Sequence, residues 1–253
     1  MFLLLVLSNC KKYDPIIERD TLNSKVSVAA AANLRDVLQD IRYAYAIENP
    51  HNKVDITFGS SGLLTQQIIN GAPFDLFLSA NTDFAEEIKK LGKNDGNPKI
   101  YAFGKVAMWS TRQDVSKGLS LILNSDVKKI AIANPELAPY GKSTMEALKK
   151  AGLYSAVEKK IVWAENINQA AQFASTGNAD VAFIALSNAK SKEMTARGNV
   201  YELSGEECSP IAQSGIIIKS KNKEGAKEFF DFVTSAKAAE IWTRHGYQTK
   251  ITR

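Results

Sequence analysis

Apolar residues along this chain follow two alternating spacings. Val26 to Ala30, Val54 to Phe58 and Phe74 to Leu78 are short, nearly unbroken apolar runs, the signature of buried strands. A helical spacing follows each of them. Leu34, Val37, Leu38 and Ile41 fall at i, i+3, i+4 and i+7; Leu64 and Ile68 follow the second run; Phe84, Ile88 and Leu91 follow the third and stop at Gly92. This alternation predicts a parallel sheet with helices on both faces. Ile100 to Ser110 predicts a longer strand that leaves the unit. A second set then begins: a strand at Ile130 to Asn134, and a helix carrying Met145 and Leu148, with Lys149 and Lys150 in its last turn and Gly152 beyond. Ile161 to Trp163, Val181 to Ala185 and Ser214 to Ile218 predict strands, and Ile167 to Ser175 a helix. Phe229, Phe232 and Val233, then Ala239, Ile241 and Trp242, mark two closing helices. The expected architecture is α/β, in two lobes that the chain crosses between twice. The first lobe comprises 25–108 and 206–253, the second 109–205.

Four strand-to-helix turns carry the candidate chemistry: Asn33, Ser60-Ser61, Pro139-Tyr140-Gly141 and Glu165-Asn166-Ile167. Ligands of open α/β sheets sit beyond the carboxyl ends of strands. A helix start adds roughly half a positive charge there, so its natural guest is an anion. One such turn is explained by ordinary capping. Four, two from each lobe, predict a cleft able to balance a dianion without lysine or arginine.

Composition narrows the function classes. The chain has 253 residues, 45% of them apolar, and a net charge of +5. Its lysines are scattered in pairs such as Lys89-Lys90 and Lys159-Lys160, which suits solvated helix ends better than a nucleic-acid surface. Gly141-Lys142-Ser143-Thr144 imitates the end of a phosphate-binding loop, but Glu136 stands where that motif needs its first glycine. Two histidines, His51 and His245, and two cysteines cannot build a zinc cluster, and neither histidine is an evident partner for a serine nucleophile. Asp75 is either structural or a contact to the other lobe.

The N-terminus adds a location. Phe2 to Leu7 is apolar, Leu7-Ser8-Asn9-Cys10 follows, and a polar tether runs to about Ser24. The segment 1–24 is similar to a bacterial lipoprotein signal, in which Cys10 would carry the lipid. It has no basic leading segment, and Asn9 replaces the usual Gly or Ala. Lipidation of Cys10 leaves Cys208 alone, without a disulfide partner.

These residues together resemble the molybdate-binding protein family of ABC transporters. The resemblance runs over about residues 25 to 250. It rests on Ala29 to Leu34, on Phe58-Gly-Ser-Ser-Gly-Leu-Leu, and on Gly71-Ala-Pro-Phe-Asp-Leu-Phe-Leu-Ser-Ala80. Asn134-Pro-Glu, Pro139-Tyr-Gly, Glu165-Asn-Ile and Ala238 to Tyr247 continue it. It implies a two-lobed fold of the type II periplasmic-binding-protein kind, with a ligand cleft between the lobes. It further implies capture of molybdate, and of tungstate with it, by neutral hydrogen bonds and without direct ligation of the metal. The ligand residues it implies are Asn33, at a position often serine or threonine, Ser61, Tyr140 and Ile167. Many members carry a tyrosine where this chain has Ala185, so Tyr140 is expected to supply that hydroxyl from the opposite turn. No cofactor and no catalysis are implied. The expected partners are an ABC permease, the oxyanion, and a membrane reached through the anchor on Cys10; the protein would be an exported monomer in the periplasm or at the cell surface. The same fold tuned to sulfate or phosphate is the neighbouring alternative, and an enzyme built on the Ser60-Ser61 turn the remoter one.

Overall fold

The structure, a computed structural model, describes residues 25–249; Cys10 and the segment 1–24 lie outside them. In the first lobe β1 (Lys25–Ala31) runs through a short 3-10 turn, Ala32–Leu34, into α1 (Arg35–Glu48). β2 (Lys53–Gly59), α2 (Ser61–Ile69), β3 (Leu76–Ser79), α3 (Asp83–Lys90) and β4 (Asn94–Gly104) follow. The second lobe comprises β5 (Val106–Ser110), β6 (Ile130–Ala133), α4 (Pro139–Lys150), α5 (Tyr154–Val157), β7 (Ile161–Ala164) and α6 (Ile167–Ser175). It continues with β8 (Val181–Ala185), α7 (Leu186–Ala189), α8 (Lys192–Arg197) and β9 (Asn199–Glu202). The chain then returns to the first lobe with β10 (Ile211–Ile218), α9 (Lys223–Val233) and α10 (Ala236–Arg244).

Each lobe is built on one five-stranded sheet, ordered β2-β1-β3-β10-β4 in the first and β7-β6-β8-β5-β9 in the second. The fold is therefore the two-lobed α/β arrangement expected, but neither sheet is purely parallel. β10 enters antiparallel between β3 and β4, and β5 lies antiparallel between β8 and β9. The expected strand Ile100–Ser110 is broken at Lys105: Gly104 ends in the first sheet and Val106 begins in the second. The passage between lobes thus falls at Lys105, ahead of the expected boundary at 108.

Alternation sorts the core. Val26, Val28 and Ala30 of β1 face the side covered by the α1 stripe, where Leu34, Val37, Leu38 and Ile41 are buried. Ala29 faces the other side, with Leu64 and Ile68 of α2 and Ile88 of α3. Burying each large aliphatic side chain contributes about 1.5–3 kcal/mol, well above the few tenths by which helix propensities differ, so burial of the stripe decides that α1 forms. In the second lobe Val181, Phe183 and Ala185 face α4, whereas Ala182 and Ile184 face the alanines of α6. Helices stop where the sequence placed them, with Gly92 and Gly152 at φ 65° and 70° closing α3 and α4. Asp75 is structural: its carboxylate accepts from the Ser27 N–H at 2.7 Å, inside the first lobe.

Candidate functional site

The starts of the 3-10 turn before α1, of α2, of α4 and of α6 line one cavity between the lobes. Its walls are Ala31, Ala32, Asn33, Gly59, Ser60, Ser61 and Ala80 from the first lobe, and Ala138, Pro139, Tyr140, Asn166 and Ile167 from the second; the lobes are closed tightly on it, and its volume is only about 10 Å³. No charged side chain is among them. All four sequence-expected residues, Asn33, Ser61, Tyr140 and Ile167, are brought together here, each at most 3% exposed.

What each presents differs in detail. Asn166 caps α6: its side-chain oxygen accepts from the N–H groups of Asn168 and Gln169, both at 3.1 Å, which leaves the N–H of Ile167 for a ligand. Ser60 is the residue before α2, yet its side chain caps nothing. Its Oγ is buried and has no hydrogen-bond partner, an arrangement that costs about 1–3 kcal/mol unless a ligand fills it. Ser61, the residue expected to donate, has its Oγ accepting from the Ala80 N–H at 3.0 Å. Ser60 therefore carries the hydroxyl of this turn that has no partner at all, whereas Ser61 Oγ, an acceptor here, keeps its own proton to donate, and Ser61 also offers the first N–H of α2.

Asn33 is committed through its side chain. Nδ2 donates to Gln213 Oε1 and to the Tyr247 hydroxyl, both at 2.9 Å. The Tyr140 hydroxyl accepts from Gln213 Nε2 at 3.1 Å. Tyr140 sits in the first turn of α4, whose N–H groups have no intrahelical acceptor, so it too presents its backbone to the cavity. Burial raises the phenol pKa of Tyr101, Tyr140 and Tyr247, so all three are neutral near pH 7 and serve as donors and acceptors together. Ala185 is fully buried at the end of β8 and is not a cavity residue. Two residues beyond it, Ser187 Oγ lies 2.9 Å from the Tyr247 hydroxyl and donates to the Asn33 carbonyl at 3.2 Å.

The lobes also meet at the rim. Gly62 N–H donates to the Leu137 carbonyl at 2.9 Å, and Lys142 reaches Asp83 at 3.4 Å. The phosphate-loop imitation has a packing origin. A Cβ on Gly141 would stand 2.0 Å from the Ala133 carbonyl oxygen, so glycine is there to let α4 start against the end of β6. His51 and His245 are absent from the cavity wall; His245 lies 2.9 Å from Asp40. Sequence reasoning missed Gln213 and Tyr247, although a glutamine inside the apolar run Ile211–Ile218 was a signal in plain view.

The family described as bacterial extracellular solute-binding protein matches residues 26–248. The chain is 35% identical over 227 residues to the molybdate-binding protein ModA of Azotobacter vinelandii, covering 88% of this chain and 90% of that protein. It is 29% identical to the putative ABC transporter substrate-binding lipoprotein YvgL of Bacillus subtilis, covering 88% of this chain and 85% of that one. Among solved structures, the periplasmic molybdate-binding protein of Azotobacter vinelandii superimposes with a TM-score of 0.82 at 29% identity, covering 88% of this chain and 98% of the other.

Proposed function

The chain belongs to the bacterial extracellular solute-binding protein family and is a substrate-binding protein of the ModA type; from that premise we propose that it captures molybdate, and tungstate with it, in the interlobe cavity and hands it to an ABC permease. One observation carries the reading: backbone N–H groups from four helix starts and one unpartnered hydroxyl converge on a small cavity without a charged side chain. Each hydrogen bond to a charged guest is worth about 1.5–3 kcal/mol, and the four helix starts supply roughly two positive charges. Donors without a dedicated acceptor favour an oxyanion that carries no proton, which disfavours phosphate at neutral pH. Fixed donors also fit one radius, which separates molybdate and tungstate from the smaller sulfate. The N–H groups of Asn33, Ser61, Tyr140 and Ile167 and the hydroxyls of Ser60 and Ser61 are the proposed ligands. The protein binds and releases its guest, as a monomer, by opening and closing its lobes.

Calorimetry against molybdate, tungstate, sulfate and phosphate tests this. One molybdate or tungstate per chain is expected, with sulfate and phosphate at least about a hundredfold weaker. Sulfate binding as tightly as molybdate would transfer the reading to that anion. Lys142→Met is expected to change molybdate affinity less than about tenfold, because an exposed ion pair such as Lys142–Asp83 contributes about 0–1 kcal/mol. A hundredfold loss would mean that a point charge holds the anion.

We also propose export with a lipid anchor on Cys10, supported by the sequence Leu7-Ser8-Asn9-Cys10 and by the lipoprotein description of the Bacillus subtilis relative. Cys10→Ala is expected to move the protein from the membrane fraction to the soluble fraction, since a covalent acyl chain would be its strong membrane contact. An unmodified Cys10 in the intact mass of the protein from its native host would end that proposal.

A further inference from the structure

We propose that Gln213 is a positioning residue that ties anion capture to lobe closure, its buried amide gripping an anion-binding turn of each lobe at once. The inference rests on the proposed oxyanion reading of the cavity.

Gln213 belongs to β10 in the first lobe and is fully buried. Its Oε1 accepts from Asn33 Nδ2 at 2.9 Å and from the Tyr101 hydroxyl at 3.3 Å. Its Nε2 donates to the Tyr140 hydroxyl of the second lobe at 3.1 Å. One amide thus spans Asn33 of the first turn and Tyr140 of the third. The pairing register of β10 with β4 shifts between Gln213 and Ser214, a bulge that re-aims side chains. Room for the contact comes from Gly104, the last residue before the passage between lobes. A Cβ there would stand 2.0 Å from the Tyr140 hydroxyl oxygen and 2.3 Å from Gln213 Nε2. Aromatic packing fixes the surroundings: Trp242 stacks on Tyr101 with ring centroids 5.2 Å apart and meets Tyr247 edge-on at 5.0 Å.

Lobe opening must break the Gln213–Tyr140 bond, whereas the bonds from Gln213 to Asn33 and Tyr101 lie within the first lobe and survive it. The closed arrangement is therefore the one in which both ends of the amide have a partner. The side chains that hold Asn33 and Tyr140 are the same ones that meet across the hinge, so the backbone donors beside them reach the anion in one register. Loss of the bond would raise the fraction of open protein and speed escape of the anion, leaving encounter with the open cleft nearly unchanged.

Molybdate dissociation and association rates, read by stopped-flow fluorescence of Trp109, Trp163 and Trp242 together, test the proposal in the wild type, Gln213→Met, Tyr140→Phe and the double variant. Each single variant is expected to speed dissociation about tenfold while association stays within about threefold. The double variant is expected to dissociate more slowly than the product of the two single effects, because one bond is shared, although Gln213→Met also removes the bonds to Asn33 and Tyr101 and Tyr140→Phe the one to the Tyr247 hydroxyl. Unchanged dissociation in the single variants, or effects that multiply to about a hundredfold, would overturn it. Tyr140→Phe keeps the ring and its packing, so if Gln213→Met does not fold, the dissociation rate of Tyr140→Phe alone decides. Molybdate binding by the wild type is the control that separates the two claims: without it the functional reading and the latch fall together, and with it only the latch is at stake.

Discussion

Gly141→Ala is expected to weaken molybdate binding at least about a hundredfold and to lower the melting temperature of the ligand-free protein. The added Cβ would lie 2.0 Å from the Ala133 carbonyl oxygen and 2.8 Å from its carbon. Both are backbone atoms at the end of β6, held in the sheet between β7 and β8, so the start of α4 has to give way instead. Overpacking of this kind costs about 1–3 kcal/mol or more. The displaced turn carries the N–H of Tyr140, and a hydrogen bond to a dianion worth about 1.5–3 kcal/mol goes with it. Calorimetry and thermal melts with and without molybdate check both halves. Unchanged affinity in a folded variant would show that the start of α4 does not touch the anion.

Ser60→Ala should have an unusual pair of consequences: affinity reduced roughly ten- to a hundredfold, and ligand-free stability unchanged or slightly improved. Its Oγ is buried without a partner, so removing it relieves a desolvated group in the empty protein and deletes a charge-assisted bond in the filled one. Ser61→Ala should lower both. Its Oγ accepts from the buried Ala80 N–H, so that amide is orphaned at a cost of about 1–3 kcal/mol of stability, and the hydroxyl proton that this contact leaves free to donate is lost as well. Melts and calorimetry on the two variants separate the roles. A loss of ligand-free stability in Ser60→Ala as large as that in Ser61→Ala would overturn the contrast.

The turn shows where a sequence stops being readable. That Ser60-Ser61 opens a helix at a strand end follows from residue types and spacing, and the structure has it so. Which hydroxyl is pinned by the fold depends on Ala80, nineteen residues away, whose N–H happens to meet one serine and not the other. Tyr140 is a similar case: its place in the first turn of α4 was legible, but the partner of its hydroxyl, Gln213, sits in a strand seventy-three residues later. Strand direction was hidden for a related reason. The apolar run Ser214–Ile218 looks alike in either orientation, and the insertion of β10 between β3 and β4 is a property of the whole sheet. Asn94–Lys99, with Gly96 and Pro98, lies outside every strand the sequence predicts, yet Asn94, Asp95 and Lys99 pair with β10. An exposed sheet edge tolerates such residues because one side of its backbone needs no partner.

The place of β10 bears on the order in which the molecule assembles during synthesis. All five strands of the second sheet lie within residues 106–202, and the ends of that excursion are already joined, the Leu203 N–H donating to the Val106 carbonyl at 3.1 Å. The first sheet, by contrast, has a gap between its third and last strands until residue 218 has been made. A chain emerging from its N-terminus can therefore finish the later lobe while the earlier one still waits for its missing strand, and long-range closure of that gap is the slow kind of contact. The strand that fills it also carries Gln213, so the first lobe is completed by the same segment that brings in the contact to the second.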